Sequence, residues 1–259
     1  MDLGIADKWA IVCASSKGLG KGCAKHLAEA GCRVIVNGRD PESTKRTAEE
    51  ISTNSKHEAV AVLADVSTPD GQAALLEACP QPDILVNNNG GPPRRDFREL
   101  SREDMLKGVT QNMVTPIELI QATIDGMAER GFGRIVNITS LSVYAAVEGL
   151  DLSSGARAGL TSFLAGVARS VTDRNVTINQ ILPGKMATDR LRAGIERTAQ
   201  TRNISIEEAA KLEMANIPAK RFGTADEFGA LCAFLCSQHA GYITGRNFQV
   251  DGGLNQSAF

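Results

Sequence analysis

Apolar residues recur along the chain in short runs separated by longer amphipathic stretches. The runs lie at residues 9–13, 33–37, 59–63, 83–87, 134–138, 176–181 and 247–250, and they predict strands. The middle runs are almost continuously apolar, as in parallel strands that are covered on both faces. Between the runs, residues 20–30, 40–53, 68–78, 103–127, 153–173 and 225–236 show the periodicity of helices.

This alternation predicts the fold class. Strands that alternate with helices of this length form right-handed βαβ units, so we expect an α/β fold with a doubly wound parallel sheet. No linker rich in Pro, Gly or Ser interrupts the pattern, and we expect a single domain over residues 1–259. Residues 185–220 are polar and helix-prone, and we expect them to form a substrate-covering insertion at the carboxyl edge of the sheet.

Composition and charge restrict the class of partner. The chain has 28 Lys and Arg residues against 30 Asp and Glu residues, a net charge of −2. That balance gives no electrostatic attraction to nucleic acid or to an anionic membrane. No stretch approaches the roughly 18 apolar residues of a membrane span, and the first residues lack a signal-peptide core. We therefore expect a cytoplasmic protein whose partner is a small molecule.

The cysteines and histidines indicate no metal site. The six cysteines form no Cys-x-x-Cys pair, and none of the three histidines lies at zinc-ligand spacing from them. The cysteines lie in apolar or helical contexts, where a free thiol packs as a small hydrophobic group. We expect six structural thiols and no bound metal.

A glycine-containing turn follows the first predicted strand. Residues 13–20 read C-A-S-S-K-G-L-G, and a helix follows. Glycines let the backbone approach a pyrophosphate, and a helix N-terminus presents free N–H groups to its charge. A tight turn also requires glycine without any ligand, but the position after a first strand favours a dinucleotide site in a Rossmann fold. The residues predicted to contact the cofactor here are Ser15, Ser16, Lys17, Gly18, Leu19 and Gly20.

The end of the second predicted strand favours NADP(H) over NAD(H). NAD-binding folds place a carboxylate there for the adenosine ribose, whereas an arginine accommodates the 2′-phosphate. This chain has Asn37 and Arg39 at that point, and Lys17 would approach the same phosphate from the glycine turn. The alternative is that Lys17 and Arg39 are ordinary solvated surface charges.

The chain resembles the short-chain dehydrogenase/reductase family over essentially its whole length. The glycine turn is similar to that family's T-G-x-x-x-G-x-G, with Cys13 and Ala14 replacing the first two residues. Residues 87–90, N-N-N-G, are similar to its N-N-A-G, and residues 245–253 to its C-terminal signature. The resemblance implies cofactor contacts from Asp65, Val66, Asn88, Asn89, Gly90, Pro183, Gly184 and Thr188, and an active site with Asn112 and Ser140.

The sequence departs from the family at the catalytic pair. The family has a Tyr 13 residues after the active-site Ser and a Lys four residues later; counting from Ser140 gives Ser153 and Arg157. The Ala158-Gly159-Leu160 that follows fixes the register, so Tyr-x-x-x-Lys has become Ser-x-x-x-Arg. Together with Gly90-Gly91-Pro92 and the altered glycine turn, Ser-x-x-x-Arg resembles a divergent 3-oxoacyl-[acyl-carrier-protein] reductase-like branch.

The replacement changes the chemistry that the site can perform. Hydride transfer to a carbonyl creates an alkoxide, and a positioned acid with a pKa near the working pH must protonate it. A serine hydroxyl is a far weaker acid than tyrosine, and an arginine with a pKa above about 12 does not donate a proton. Arg157 can still hold the nicotinamide ribose, stabilise an oxyanion or bind a substrate carboxylate. Lys185 is a second candidate for that carboxylate.

Several groups are candidates for the missing proton donor. Tyr144 lies four residues beyond Ser140 and either supplies the acid or only lines the cleft. Glu148 and Asp151 would serve if burial raised their pKa values, and otherwise they are solvated. A water held by Ser140, Ser153 and Asn112 is a further alternative.

Three functions are consistent with these residues. The first is an NADP(H)-dependent oxidoreductase that reduces a small carbonyl compound or oxidises the corresponding alcohol. In one form of this hypothesis, the substrate also carries a carboxylate. The second is a lyase, isomerase or retro-aldol enzyme on the same scaffold, and the third is a catalytically silent nucleotide-binding protein. The resemblance also implies a homotetramer, or failing that a dimer, built through residues 103–127, 153–173 and the C-terminal region.

Overall fold

The computed structural model describes residues 1–92 and 94–257; residue 93 and the last two residues of the predicted domain lie outside the described part. Within it, the strands are β1 (Trp9–Val12), β2 (Arg33–Gly38), β3 (Val60–Leu63), β4 (Ile84–Asn87), β5 (Gly133–Ile138), β6 (Val176–Pro183) and β7 (Asn247–Val250). The α-helices are α1 (Gly18–Glu29), α2 (Pro41–Thr53), α3 (Pro69–Ala78), α4 (Arg102–Val109), α5 (Thr115–Glu129), α6 (Asp151–Val167), α7 (Asp189–Arg202), α8 (Ile206–Ala215) and α9 (Ala225–Leu235).

The described strands form one seven-stranded sheet in the order β3-β2-β1-β4-β5-β6-β7, and every neighbouring pair is parallel. The chain order reverses between β1 and β4. In open α/β sheets, ligands bind outside the carboxyl ends of the strands at such a reversal. The structure confirms the predicted doubly wound Rossmann fold.

Two apolar layers cover the sheet. On one face, α1 and α9 pack on the strands around Leu27 and Phe228, both fully buried. On the other face, α3, α5 and α6 pack around Leu75, Leu119 and Leu160. Because both faces are covered, the central strands are apolar at nearly every position, as parallel strands require.

The predicted helix at residues 103–127 is two α-helices joined by one turn of π-helix, residues 110–114. The Thr115 N–H bonds the carbonyl of Thr110, five residues back, and Asn112 donates from Nδ2 to the carbonyl of Gly108 at 3.1 Å. Pro116 has no N–H with which to continue the regular ladder, which explains the change of pitch. The turn holds the Asn112 side chain inside the protein, 2% exposed.

The predicted insertion at residues 185–220 contains α7 and α8. The two helices share a small core of Ile195, Ala199 and Ala209, which is separate from the two layers on the sheet. Thr188 caps α7 and Ser205 caps α8 through side-chain hydrogen bonds to backbone N–H groups. The segment is therefore a helical hairpin that follows β6 at the carboxyl edge of the sheet.

No helix among residues 1–92 and 94–257 has the length and apolar character needed to cross a membrane. The six cysteines are free thiols and all are buried. Burial raises the pKa of Cys13 to about 12. This thiol is therefore protonated at neutral pH.

Candidate active site

The segments singled out in the sequence meet at the carboxyl edge of β1, β4, β5 and β6. The turn at residues 13–18 follows β1, residues 88–92 follow β4, residues 139–150 follow β5 and residues 184–188 follow β6. Helix α6 passes beneath this edge and contributes Ser153 and Arg157, both buried. The candidate site is thus bordered on one side by β1 and the turn that follows it, and on the other side by β5, β6 and α6.

The turn after β1 ends in a helix whose first N–H groups have no side-chain cap. Lys17 is the N-cap of α1, its side chain makes no capping hydrogen bond, and the first turn of α1 has no acidic residue. Six other helices, α2, α3, α4, α7, α8 and α9, have a side-chain cap. An uncapped helix N-terminus without a carboxylate fits a pyrophosphate.

Two glycines shape this turn for a close approach. Gly18 has φ +60°, and a Cβ there would meet only Thr188 Cγ2 at 3.8 Å. At Gly20 a Cβ would lie 2.5 Å from the carbonyl oxygen of Ala14, so the position excludes any side chain. Ala14 itself has φ +44°, where the resembling family has glycine. The structure thus places Gly18 and Thr188 next to each other.

Ser15 and Asn37, predicted to contact the cofactor, use their side chains to hold the turn. Ser15 is fully buried, and its hydroxyl donates to the carbonyl of Val12 at 2.6 Å. Asn37 Oδ1 accepts from the Ala14 N–H at 2.9 Å, while its Nδ2 donates to carbonyls of Val62 and Ala64 at 3.2 and 3.1 Å. Their side chains therefore hold the turn, and contact of these two residues with the cofactor stays a prediction.

The cations predicted for the 2′-phosphate lie at the mouth of the site. Lys17 is exposed, and the Arg39 side chain is 72% exposed. Arg39 Nη1 lies 3.5 Å from Asp65 Oδ2. Burial raises the pKa of Asp65, but hydrogen bonds from Ser67 and the Arg39 charge outweigh it and leave that pKa below its usual value. Ser16 lies next to Gly38, where a Cβ would be 2.8 Å from the Ser16 Oγ, and Val66 is buried.

Asparagines continue the site from β4. Asn88 donates from Nδ2 to the carbonyl of Ala14 at 3.0 Å, which joins the turns after β1 and β4. Asn89 donates from Nδ2 to the carbonyl of Gln111 at 3.3 Å and accepts from the Gly90 N–H. Gly90 is exposed, and a Cβ there would have no neighbour within 4 Å, so this stretch borders open space.

Across the edge, Pro183 ends β6 and Gly184 bonds from its N–H to the carbonyl of Val250 at 2.9 Å. Thr188 then accepts from the Leu191 N–H at 3.4 Å and begins α7. The Leu19 side chain is half-buried and packs against the apolar layer under α1. Only the backbone of Leu19 is therefore left to contact a ligand.

Ser153 and Arg157 form the centre of the candidate active site. Arg157 donates from Nε to Ser153 Oγ at 3.3 Å and from Nη1 to the carbonyl of Ile138 at 2.6 Å. Burial first, and the nearby charge of Arg190 second, lower the pKa of Arg157 to about 10. The guanidinium remains charged at neutral pH and is fixed at the end of β5.

A small cavity lies next to this guanidinium. Its lining includes Asn88, Asn112, Thr115, Asn137 and Arg157. Asn112 Oδ1 and Thr115 Oγ1 are buried and have no hydrogen-bond partner among the described residues. The structure thus brings Asn112 and Arg157 to one polar cavity. The Ser140 hydroxyl accepts from the N–H of Ser142, at 3.1 Å, and from its hydroxyl, at 2.9 Å.

The structure places the candidate acids away from this centre. Tyr144 is 43% exposed, and its hydroxyl accepts from Asn247 Nδ2 at 2.6 Å; Asn247 is on β7, two strands from β5. Glu148 and Asp151 are exposed to solvent. Lys185, predicted as an alternative carboxylate ligand, forms an ion pair with Glu213 of α8.

Sequence reasoning missed two further cations at this edge, Arg94 and Arg190. Arg94 lies in the segment after β4 and Arg190 in the first turn of α7. Arg190 donates from Nη2 to the carbonyl of Pro92 at 3.2 Å. Neither belongs to a recognisable motif; the available signal was that both follow strands whose carboxyl ends border the site.

Comparisons with known proteins identify several reductases that are similar to this chain. A family profile described as "Enoyl-(Acyl carrier protein) reductase" matches residues 13–255. The chain is 31% identical to the "NADPH-dependent reductase BacG" of Bacillus subtilis (strain 168), over 98% of this chain and 100% of that protein. It is 31% identical to the "3-oxoacyl-[acyl-carrier-protein] reductase FabG" of Aquifex aeolicus (strain VF5), with the same two coverages.

Among solved structures, the fold is similar to that of the L-sorbose reductase of Gluconobacter frateurii, whose crystals contained NADPH and L-sorbose. The TM-score is 0.94 and the sequences are 26% identical, over 99% of this chain and 100% of the other. The named relatives are reductases, and two of them are described with NADPH.

Proposed function

The chain belongs to the short-chain dehydrogenase/reductase family, and we propose that it is an NADP(H)-dependent oxidoreductase that reduces a small carbonyl compound or oxidises the corresponding alcohol. One observation carries the proposal: the uncapped N-terminus of α1 and the buried Arg157 lie at the same edge of the sheet. That edge is the side on which such folds bind dinucleotides. Every relative named above is a reductase, and no residue of the site favours the lyase, isomerase or silent alternatives.

We assign the cofactor site to the residues around the β1 turn. The free N–H groups of α1 suit a pyrophosphate, and the exposed cations Lys17 and Arg39 suit a 2′-phosphate. Arg39 would then be shared between Asp65 and that phosphate. Bound NADPH supplies a hydride, and the carbonyl takes up this hydride and one proton to give an alcohol and NADP⁺.

Ser153 and Arg157 occupy, in our interpretation, the positions of the family's catalytic Tyr and Lys. The support is their spacing from Ser140 and their mutual hydrogen bond at the end of β5. Arg157 provides a fixed positive charge that stabilises an oxyanion and holds ribose hydroxyls. We do not assign the proton to Arg157, because its guanidinium is held by the Ile138 carbonyl and the Ser153 hydroxyl and acts through its positive charge.

The proton then comes from a group other than a tyrosine at position 153. The Tyr144 hydroxyl is held at β7, and Glu148 and Asp151 are solvated. This arrangement favours a water held by the hydroxyls of Ser140 and Ser153 with the amide of Asn112. We therefore expect weak activity on simple ketones. We expect higher activity on a substrate whose own charged group holds it in position in the site.

The remaining expectations are part of the same proposal. The chain acts as one domain, and the hairpin of α7 and α8 covers the substrate because it follows β6 at the open edge. The cytoplasm is the compartment that its free thiols favour. A homotetramer is the assembly that we expect.

Two measurements test the proposed function. Titration with NADPH and NADH should show binding, with a preference for NADPH. Absorbance at 340 nm should then fall when the protein is mixed with NADPH and a panel of ketones, aldehydes and oxo acids. Binding of neither nucleotide, or non-redox products found by mass spectrometry without any change at 340 nm, would show that the protein is not a reductase.

A further inference from the structure

Three arginines lie at the same carboxyl edge of the sheet, on three different segments. Arg94 follows β4, Arg157 lies on α6 and Arg190 begins α7. The Gly149 N-terminal to α6 accepts from the Arg95 N–H at 3.1 Å, and a Cβ on Gly149 would lie 3.7 Å from the Cβ of Arg94. The segments after β4 and β5 are thus in contact at Arg94.

The guanidinium of Arg190 lies over Gly91 at this point. A Cβ on Gly91 would lie 2.3 Å from Arg190 Nη1, and Nη2 donates to the carbonyl of Pro92 at 3.2 Å. A side chain at position 91 would displace this guanidinium. The Arg190 head group is therefore held against the segment after β4, although α7 begins on the other side of the cleft.

The three charges act on one another without a compensating carboxylate. The charge of Arg190 contributes to the lowered pKa of Arg157, and after burial the charge of Arg94 contributes to the lowered pKa of Arg190. In the part of the chain that the structure describes, none of the three forms an ion pair. The neighbouring Arg95, by contrast, pairs with Asp104 at 3.1 Å.

Unpaired cations close together at a cleft are unfavourable until an anion binds between them. Like charges repel, and Arg157 adds the cost of a buried guanidinium that has no carboxylate partner. Arg94 and Arg190 are exposed, so a ligand can reach them. A carboxylate satisfies the planar fork of an arginine through two parallel hydrogen bonds. Lys185 does not serve this purpose, since Glu213 already neutralises it.

We propose that Arg190, assisted by Arg94, binds a carboxylate of the substrate and so makes the enzyme selective for oxo acids over neutral ketones and thioesters. This inference rests on the proposed reductase function and names its substrate class. Arg157 stays with the reacting oxygen, while Arg190 and Arg94 bind the carboxylate at the other end of the substrate. Arg190 is then a specificity-determining residue that sequence motifs do not reveal.

The test compares ligands that differ only at the group that Arg190 would bind. A series of 2-oxo and 3-oxo acids of increasing length, each with its methyl ester, is titrated into the full-length protein with and without NADP⁺. Acetoacetyl-CoA is included because its phosphates offer a second kind of anion. We expect the best acid of the series to bind about tenfold more tightly than its ester, as charge-assisted pairing implies.

The variant Arg190→Met should remove this preference, a loss of about tenfold in acid affinity with no change for the ester. Arg94→Met should cause a smaller loss of the same kind. Arg192→Met is the matched control, since Arg192 is an exposed arginine two residues along the same helix. It should leave all affinities unchanged.

Three results would overturn the inference. The first is a native protein that binds no acid of the series more tightly than its ester. The second is an Arg190→Met variant whose NADPH affinity falls while its preference for acids persists, because Arg190 would then be a cofactor ligand. The third is Arg190-dependent binding of acetoacetyl-CoA alone. Failure to bind NADPH would instead refute the proposed function, because the titrations without cofactor still measure carboxylate binding.

Discussion

Arg157 donates a hydrogen bond to Ser153 across 3.3 Å, one helical turn apart on α6, and both side chains are buried. The second contact of Arg157, to the carbonyl of Ile138, fixes the guanidinium to β5. The two residues therefore differ in what their loss should do. Arg157 supplies a positive charge at a fixed position, whereas Ser153 supplies only an uncharged hydroxyl.

Arg157→Ala should weaken NADPH binding about tenfold and remove turnover, since a charge-assisted contact to the ribose is lost. Ser153→Ala should lower turnover and leave the dissociation constant of NADPH nearly unchanged. Fluorescence titration with NADPH and initial rates at 340 nm give the two quantities separately. Equal effects of both substitutions on cofactor binding would contradict these roles.

The double substitution Ser153→Tyr with Arg157→Lys should create or raise reduction of simple ketones. A tyrosine with a nearby lysine supplies a proton donor whose pKa is far closer to neutrality than that of serine. The comparison is between rates for the double variant, each single variant and the native protein. A double variant that folds and binds NADPH but gains no rate would show that the cleft is not built for carbonyl reduction.

Arg39→Asp should reverse the nucleotide preference. The native protein should bind NADPH at least about tenfold more tightly than NADH, roughly 1.4 kcal/mol. A carboxylate at position 39 repels the 2′-phosphate and accepts hydrogen bonds from a free ribose. Lys17→Met should weaken the preference less, because Arg39 remains. Equal affinity of the native protein for the two nucleotides would refute the assignment of both cations.

Glu227 should contribute to stability in a defined range of acid pH. Its hydrogen bond from Arg221, together with that from the Thr224 N–H, lowers its pKa to about 2 from the ordinary value of 4.5. Because the pKa is lower in the folded state, the contribution is present above about pH 4.5 and is lost as the pH falls toward 2. Urea unfolding at pH 6 and pH 3 should show a smaller pH effect in Glu227→Gln than in the native protein. An equal change in the free energy of unfolding between pH 6 and pH 3 in both proteins would contradict this role of Glu227.

The protein should form a tetramer of 27.5 kDa chains. Met105, Leu106 and Val109 of α4 and Phe163 of α6 are 45%, 58%, 36% and 48% exposed, an unusual apolar surface for a monomer. Light scattering at micromolar concentration measures the mass directly. Phe163→Glu should lower it, whereas Leu212→Glu, at a similarly exposed apolar position on α8, should not. A monomeric native protein would refute the expected assembly.

The sequence predicted the fold well because parallel strands buried on both faces leave long apolar runs. The seven predicted strands coincide with the observed ones to within one or two residues. Periodicity did not reveal the π-helical turn at Asn112, since one extra residue in a turn barely alters the apolar pattern. Pro116 was the available signal, because its missing N–H interrupts the ladder.

The candidate site was predicted less completely, because its charges come from segments without a motif. Lys17, Arg39 and Arg157 were identified from their spacing to strand ends and to Ser140. Arg94 and Arg190 were not, since only the folded chain brings the first turn of α7 against the segment after β4. Conversely, Ser15 and Asn37 lie where a ligand residue is expected but serve the backbone.

Asn37 also bears on how fast a nucleotide binds. Its single side chain joins the ends of β1, β2 and β3, so the phosphate turn is already in shape before any ligand arrives. A preformed turn loses little conformational entropy on binding, so most of the ordering cost falls on the exposed side chains of Lys17 and Arg39. The association rate of the nucleotide should then be limited by diffusional encounter. A substitution of Asn37 should lower that association rate even if the final complex keeps every native contact.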